Sequence, residues 1–147
     1  MGESTNVRTL VSPRETVGRI HQFMLDGDVS AQADLYAPNG VLEWPFAPPG
    51  VPRRLQGRER IRRELMMLDQ RARQAGTSVV GLSAAVHETA DPEVVIAELD
   101  VRAELTTTGL IYRHPYIQVF RIRDGEIVLC RDYFTRVEIA GITSPWH

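Results

Sequence analysis

The residues best suited to chemistry lie in one stretch of this 147-residue chain, Tyr112 to Phe134, which reads YRHPYIQVFRIRDGEIVLCRDYF. It holds His114, Asp132 and several aromatics at spacings that can place them in one cavity. Asp124-Gly125 between two alternating runs predicts a tight hairpin. On the second strand the two-residue period sets Val128, Cys130, Asp132 and Phe134 on one face, and Ile127, Leu129, Arg131 and Tyr133 on the other. Asp132 thus stands among apolar neighbours. Enclosure there would raise its pKa and suit it to passing a proton near neutral pH. On the first strand His114 shares a face with Tyr112, Tyr116, Gln118 and Phe120, and Pro115 is a source of local distortion. Counted from the turn, His114 and Asp132 are offset by a few residues, near enough to share a ligand. His114 has two readings: a group that polarises a ligand oxygen, and a histidine at the cavity mouth bonded to backbone. The four histidines, at positions 21, 87, 114 and 147, have no close metal-ligand spacing, so no metal is expected. Neither a phosphate-cradling glycine loop nor a nucleophile elbow is present.

The rest of the chain must position that stretch. Ser12-Pro13-Arg14-Glu15 is a helix start with a serine cap, proline at the first helical position and glutamate placed to close a capping box. Val17, Ile20, His21, Met24 and Leu25 follow as an apolar stripe up to Gly27. His21 on that stripe reads as a satisfied core residue ahead of a catalytic one. A short second helix over Val29 to Leu35 precedes a break at Pro38-Asn39-Gly40 and a strand over Val41 to Phe46. APPGVPRR is an irregular loop and a candidate rim for a cavity. A long helix from Gly57 carries Ile61, Leu65, Leu68 and Ala72 on one stripe, with most arginines on a solvated face, and stops at Gly76. Strands over Thr77–Thr89 and Val94–Leu105, with turns at Asp91-Pro92 and Thr108-Gly109, complete a meander. The expectation is an α+β domain: a strongly curved antiparallel sheet forming a cone, with about three helices from the N-terminal half enclosing a pocket. In Val94–Leu105, Val95, Ala97, Leu99, Val101, Ala103 and Leu105 alternate with Glu98, Asp100, Arg102 and Glu104. The polar face meets either solvent or a wet pocket, and an apolar sheet face left outside would meet a second subunit.

Length allows one domain over 12–147, after a loosely ordered N-terminus at 1–11. Apolar residues make up 43% and charged residues 24%, and the formal charge is -2. That near-balance gives no basic surplus for nucleic acid. One cysteine, Cys130, cannot form an internal disulfide, which points to a reducing compartment. With no apolar run long enough to span a bilayer and no signal-like N-terminus, a cytoplasmic location and no membrane partner are expected.

Three segments together resemble the nuclear-transport-factor-2-like superfamily, within it the SnoaL-like polyketide cyclase, phenazine-biosynthesis A/B and limonene-epoxide hydrolase branches. They are LYAPNGVLEWPF with LQGRERIR, then ELDV, then HPYIQVFRIRDGEIVLCRDYF. The closing VEIAGITSP resembles the tail of the phenazine group. In the ketosteroid isomerase branch the strand matching Tyr36 to Phe46 ends in an acid that shuttles protons. Trp44 stands at that position and cannot accept a proton. The epoxide-hydrolase branch uses two aspartates, matched by Asp100 and Asp132, and an arginine whose position is Glu98. The phenazine branch implies a general acid at Asp132. These likenesses imply a cofactor-free acid–base enzyme, an isomerase, cyclase or epoxide hydrolase, acting on a small apolar or polyketide-like metabolite of secondary metabolism. Asp132 is the expected principal acid or base, His114 its oxygen-polarising partner and Asp100 the second carboxylate. Trp44, Phe46, Phe120 and Phe134 would line the cone, Tyr116 would donate a hydrogen bond, and Glu98 is a further candidate contact. A homodimer through the outer sheet face is expected. The competing readings are a ligand-binding or accessory subunit without turnover, and an assembly domain whose cavity is filled by side chains.

Overall fold

The computed structural model describes residues 11–134 and the two short strands Glu138–Ile139 and Ile142–Thr143. Apart from Val11, the expected loose N-terminus falls outside the described residues, as does most of VEIAGITSP. Among the described residues the chain runs α1 (Pro13–Asp26), α2 (Val29–Asp34), β1 (Tyr36–Glu43), β2 (Arg54–Gln56), α3 (Arg58–Gln74), β3 (Thr77–Glu88), β4 (Val94–Leu105), β5 (Leu110–Arg123) and β6 (Glu126–Tyr133), followed by β7 (Glu138–Ile139) and β8 (Ile142–Thr143), which pair with each other.

Local signals account for the helix ends. The Ser12 hydroxyl accepts from the Glu15 N–H at 3.1 Å while the Glu15 carboxylate accepts from the Ser12 N–H at 3.2 Å. This reciprocal cap satisfies two donors that the first helical turn leaves unpaired. Gly27 closes α1 in the left-handed region with φ 74°, where a side chain would be strained.

β1 to β6 form one sheet in the order β2-β1-β6-β5-β4-β3. Neighbours from β3 to β6 are antiparallel, as the meander requires, and β2 is antiparallel to β1. The predicted all-antiparallel pattern does not extend to β1 and β6, which pair in parallel. The sheet is therefore mixed and open, because β6 enters between β1 and β5 after the chain has passed through β2, α3, β3, β4 and β5. The β5–β6 turn carries positive φ at both central residues, 53° at Asp124 and 80° at Gly125, the primed geometry that matches strand twist.

The helices cover one face. Val17 and Ile20 of α1 and Ile61 of α3 pack with Leu42, Val95, Ala97, Phe120, Ile122, Ile127 and Cys130. Each large apolar side chain enclosed there contributes about 1.5–3 kcal/mol. On β4 the apolar set Val95, Ala97, Leu99, Val101, Ala103 and Leu105 is buried on this inner face. The polar set is on the outside. One sequence expectation for β6 changes. A bulge shifts the register so that Ile122 faces Ile127 while Arg121 faces Leu129, leaving Val128 as the extra residue. Ile127 thereby joins Cys130 in the core instead of lying on the opposite face.

Candidate active site

Register decides which side chains meet. On β5 and β6, Gln118 stands opposite Asp132 and Phe120 opposite Cys130. On β4, Ala97 stands opposite Gln118, Leu99 opposite Tyr116 and Val101 opposite His114. On β1, Leu42 stands opposite Cys130, so the next inward residue, Trp44, comes up beside Asp132. Facing residues in a ladder share a side of the sheet. Asp132, Gln118, Tyr116, His114 and Trp44 therefore all look toward the helix-covered face.

The carboxyl group of Asp132 is surrounded by donors. Gln118 Nε2 donates to its Oδ1 at 2.8 Å, and the Cys130 thiol lies 3.4 Å from the same oxygen. The Trp44 indole is a third donor. Behind Gln118, the Nε2 of His21 is 2.8 Å from the amide oxygen. A hydrogen-bonded line thus runs from α1 through β5 to β6, with His21 and Gln118 both buried. Burial pushes the Asp132 pKa up, and the bonds from Gln118, Cys130 and Trp44 offset part of that rise. Burial also pushes the hydroxyls of Tyr36 and Tyr116 well above the usual phenol range, and the thiol of Cys130 upward, with the negative charge of Asp132 adding to all three. Burial lowers the pKa of His21, against the opposing bond from Gln118. Among the described residues, the groups that bond Asp132 are neutral at neutral pH, and no cation contributes to its shift.

The sequence-predicted residues divide. Asp132, Trp44 and Tyr116 come together. His114 lies on the same face but four residues along β5 from Gln118, about 13 Å along the strand. Its ring packs against Tyr116 and Phe134 with centroids 5.4 and 5.0 Å apart. It therefore belongs to an aromatic cluster with Tyr116 and Phe134 on the same inner face, displaced along the sheet from the Gln118–Asp132 pair. Asp100 and Glu98 are on the outer face. Asp100 is held 2.6 Å from an Arg113 guanidinium nitrogen and Glu98 lies 2.7 Å from His87 Nε2. Arg113 keeps the Asp100 carboxyl below its ordinary pKa. Strand alternation puts these two acids opposite to the buried Leu99 and Val101, so neither can reach the site. Phe46 also leaves it, because the chain turns after Trp44, with the Ala47 N–H bonded to the Trp44 carbonyl at 3.0 Å. Its ring is 58% exposed and packs edge-on against Tyr133. Phe120 is fully enclosed in the core, beneath His21, where a ligand cannot touch it.

Sequence reasoning assigned no site role to His21, Gln118, Cys130 or Tyr36. A signal existed for Gln118: an amide on an otherwise apolar or aromatic inward row, two residues from Tyr116. For His21 the stripe position was visible but its partner was not. Among the described residues no group of three or more His, Cys, Asp or Glu side chains is placed to hold a metal ion, and no helix is long and apolar enough to cross a membrane.

Comparison with known proteins agrees with this architecture. An uncharacterised PhzA/B-like protein of Pseudomonas aeruginosa is 37% identical over 117 residues, covering 78% of this chain and 79% of the relative. The crystal structure of a candidate isomerase from Bacillus subtilis superposes with a TM-score of 0.71 at 32% identity, covering 84% of this chain and 86% of that one. A candidate polyketide cyclase from Pseudomonas putida, 19% identical with a TM-score of 0.65 over 84% of this chain and 92% of its own, shares the fold. Residues 17–130 match the SnoaL-like domain, and the chain belongs to that family.

Proposed function

We propose that this chain is a proton-transfer enzyme, an isomerase or cyclase, acting on a small ring-containing carbonyl compound. The observation that carries the reading is a carboxyl group enclosed by neutral donors beside a neutral phenol on the same inner face. Asp132 in its ionised form removes a proton from the carbon next to a substrate carbonyl. The C–H electron pair moves into the ring and onto the carbonyl oxygen, where the Tyr116 hydroxyl donates a hydrogen bond to the developing charge. The protonated Asp132 then returns its proton to a different carbon or leaves it on the cyclised product, so the protein ends unchanged. Tyr116 lies two residues from the partner of Asp132, about 7 Å along β5, a gap that suits a carbon and its carbonyl. His114, Tyr116 and Phe134 offer aromatic faces to the remainder of the ligand. Epoxide hydrolysis by paired aspartates is the weaker reading, because Asp100 is on the far side of the sheet. The chain contains no lysine, which removes imine formation on a side-chain amine as a route.

The test is deuterium uptake from D2O into 2-tetralone and related fused-ring ketones, followed by mass spectrometry. Asp132→Asn should lower the enzyme-dependent rate by about 100-fold or more, and Asp100→Asn should leave it unchanged. Exchange at the buffer rate across the series, with ligand binding retained, would favour the binding-module reading instead. A second copy of the chain is the expected partner. Ile111, 56% exposed, and Ile117, 43% exposed, are on the outer face, where Tyr133 stands opposite Ile117 and packs against Phe46, and exposed apolar side chains of this kind suit a two-fold contact. Sedimentation should show a dimer that Ile117→Asp converts to monomer.

A further inference from the structure

Gln118 occupies an unusual place, between the ring of His21 and the carboxylate of Asp132, with 2.8 Å contacts on both sides. An amide is asymmetric: one side accepts and the other donates. Turned over, Gln118 would set its carbonyl oxygen against the carboxylate oxygen, two acceptors face to face. With the NH2 toward Asp132, the amide oxygen must accept a hydrogen bond from His21, which requires the ring proton to be on Nε2. Were the proton on Nδ1, the bare Nε2 would draw the NH2 toward α1 and present the carbonyl to β6. Only a protonated Asp132 could then complete the line.

We propose that His21 is a positioning residue for Asp132: by donating from Nε2 it locks the Gln118 amide, so that the carboxylate always meets an NH2. The inference rests on the reading of Asp132 as the reacting group. The lock has two effects. It occupies Oδ1 with Gln118 and Cys130, which fixes the rotation of the carboxyl group, and it denies the protonated acid a hydrogen-bond acceptor at that oxygen. Asp132 thereby gives its proton up more readily than an unrestrained neighbour would allow. The other groups facing this line cannot replace His21. Among the described residues, Tyr36 comes from β1, Trp44 directly follows that strand, Tyr116 comes from β5 and Cys130 from β6, while β4 contributes only Ala97 and Leu99 at this level. Burial disfavours the charged form of His21, so the lock operates through a tautomer instead of a charge.

Two measurements test the proposal. The first is the nitrogen chemical shifts of His21 in the wild-type protein, which should show a protonated Nε2 and a bare Nδ1; the opposite tautomer overturns the proposal without any variant. The second is a carbon-detected titration of the Asp132 carboxyl in wild type, His21→Phe and His21→Gln. Phenylalanine preserves the ring against Phe120 but frees the amide to turn. The Asp132 midpoint should then rise by about 0.7 pH units, the shift for one net hydrogen bond gained by the protonated acid. Glutamine restores a donor near the Nε2 position and should return the midpoint toward the wild-type value, a rescue that a purely packing role would not produce. An unmoved midpoint in folded His21→Phe overturns the proposal. Failure of Asp132→Asn to slow deuterium exchange would remove the enzymatic reading while leaving the tautomer and the titration shift intact, so the two outcomes are separable.

Discussion

Replacing Gln118 by leucine tests the buried line most severely, because the swap nearly conserves volume and removes only hydrogen bonding. Gln118 is 3% exposed. The variant loses a charge-assisted bond to Asp132, worth about 1.5–3 kcal/mol, and a neutral bond to His21, worth about 1 kcal/mol. Leucine's apolar contacts offset about 1 kcal/mol of that. The expected net loss is about 1.5–3 kcal/mol in urea unfolding at pH 8. The pH dependence has a definite sign. Gln118 holds the Asp132 pKa down, so its removal raises the folded-state value further above the unfolded one. Stability lost in this way is felt above the folded pKa and recovered as acid protonates the group. The deficit should therefore shrink as the pH is lowered through the folded-state pKa. Combining Gln118→Leu with His21→Phe removes the orphaned imidazole N–H as well, and the double variant should be more stable than the sum of the single effects predicts by about 1 kcal/mol. A loss below about 0.5 kcal/mol, an equal loss above and below that pKa or an additive cycle would refute the connected line.

Asp132→Asn should stabilise the fold above the Asp132 pKa. In the wild type burial raises that pKa above 3.8, so stability declines as pH rises from the unfolded value through the folded one, and thermal unfolding of the asparagine variant should lack that decline. Glu93 behaves in the opposite sense. Bonds from Arg123 and then Arg121 hold its pKa at about 2 against an ordinary 4.5, so its contribution is complete above 4.5 and is lost as pH falls toward 2. Glu93→Gln should flatten that part of the acid-unfolding curve, and added salt should weaken the effect. Gly40→Ala should cost about 1–3 kcal/mol in urea unfolding, because its Cβ would lie 2.8 Å from the Ile127 carbonyl oxygen and 3.0 Å from that of Ala37, both of them backbone.

Local signals in the sequence were sufficient for most elements and poor for the contacts between them; β1 instead runs from Tyr36 through the expected break at Pro38-Asn39-Gly40 to Glu43, and β2 (Arg54–Gln56) had no local signal. The capping box at Ser12, the stop at Gly27, the alternation in β4 and the Asp124-Gly125 turn each act over a few residues, and each appears in the structure where the pattern puts it. The parallel β1–β6 pairing joins segments about ninety positions apart, and no local pattern announces it. The bulge at Val128 was equally hidden, since a strict period of two carries Ile127 to the wrong side. Asp132 was legible as an acid on an apolar row. Its donors were not, because Gln118 and His21 come from separate elements, and His21 in isolation looks like any other core histidine. Asp100 and Asp132 look equivalent as text. Only the side of the sheet distinguishes them.

The position of β6 in the middle of the sheet also constrains how the protein is made. Until that strand emerges during synthesis, β2-β1 and β5-β4-β3 are two fragments, each with an unpaired edge where β6 will insert. Exposed edges of this kind invite pairing with other chains, and joining them requires contacts between segments about ninety positions apart, the kind that form slowly. Asp132 and Cys130 arrive on that same strand. The nascent chain thus gains the Asp132 carboxyl group at the moment its sheet becomes continuous, and a chain halted before residue 126 would both lack that group and be prone to aggregate.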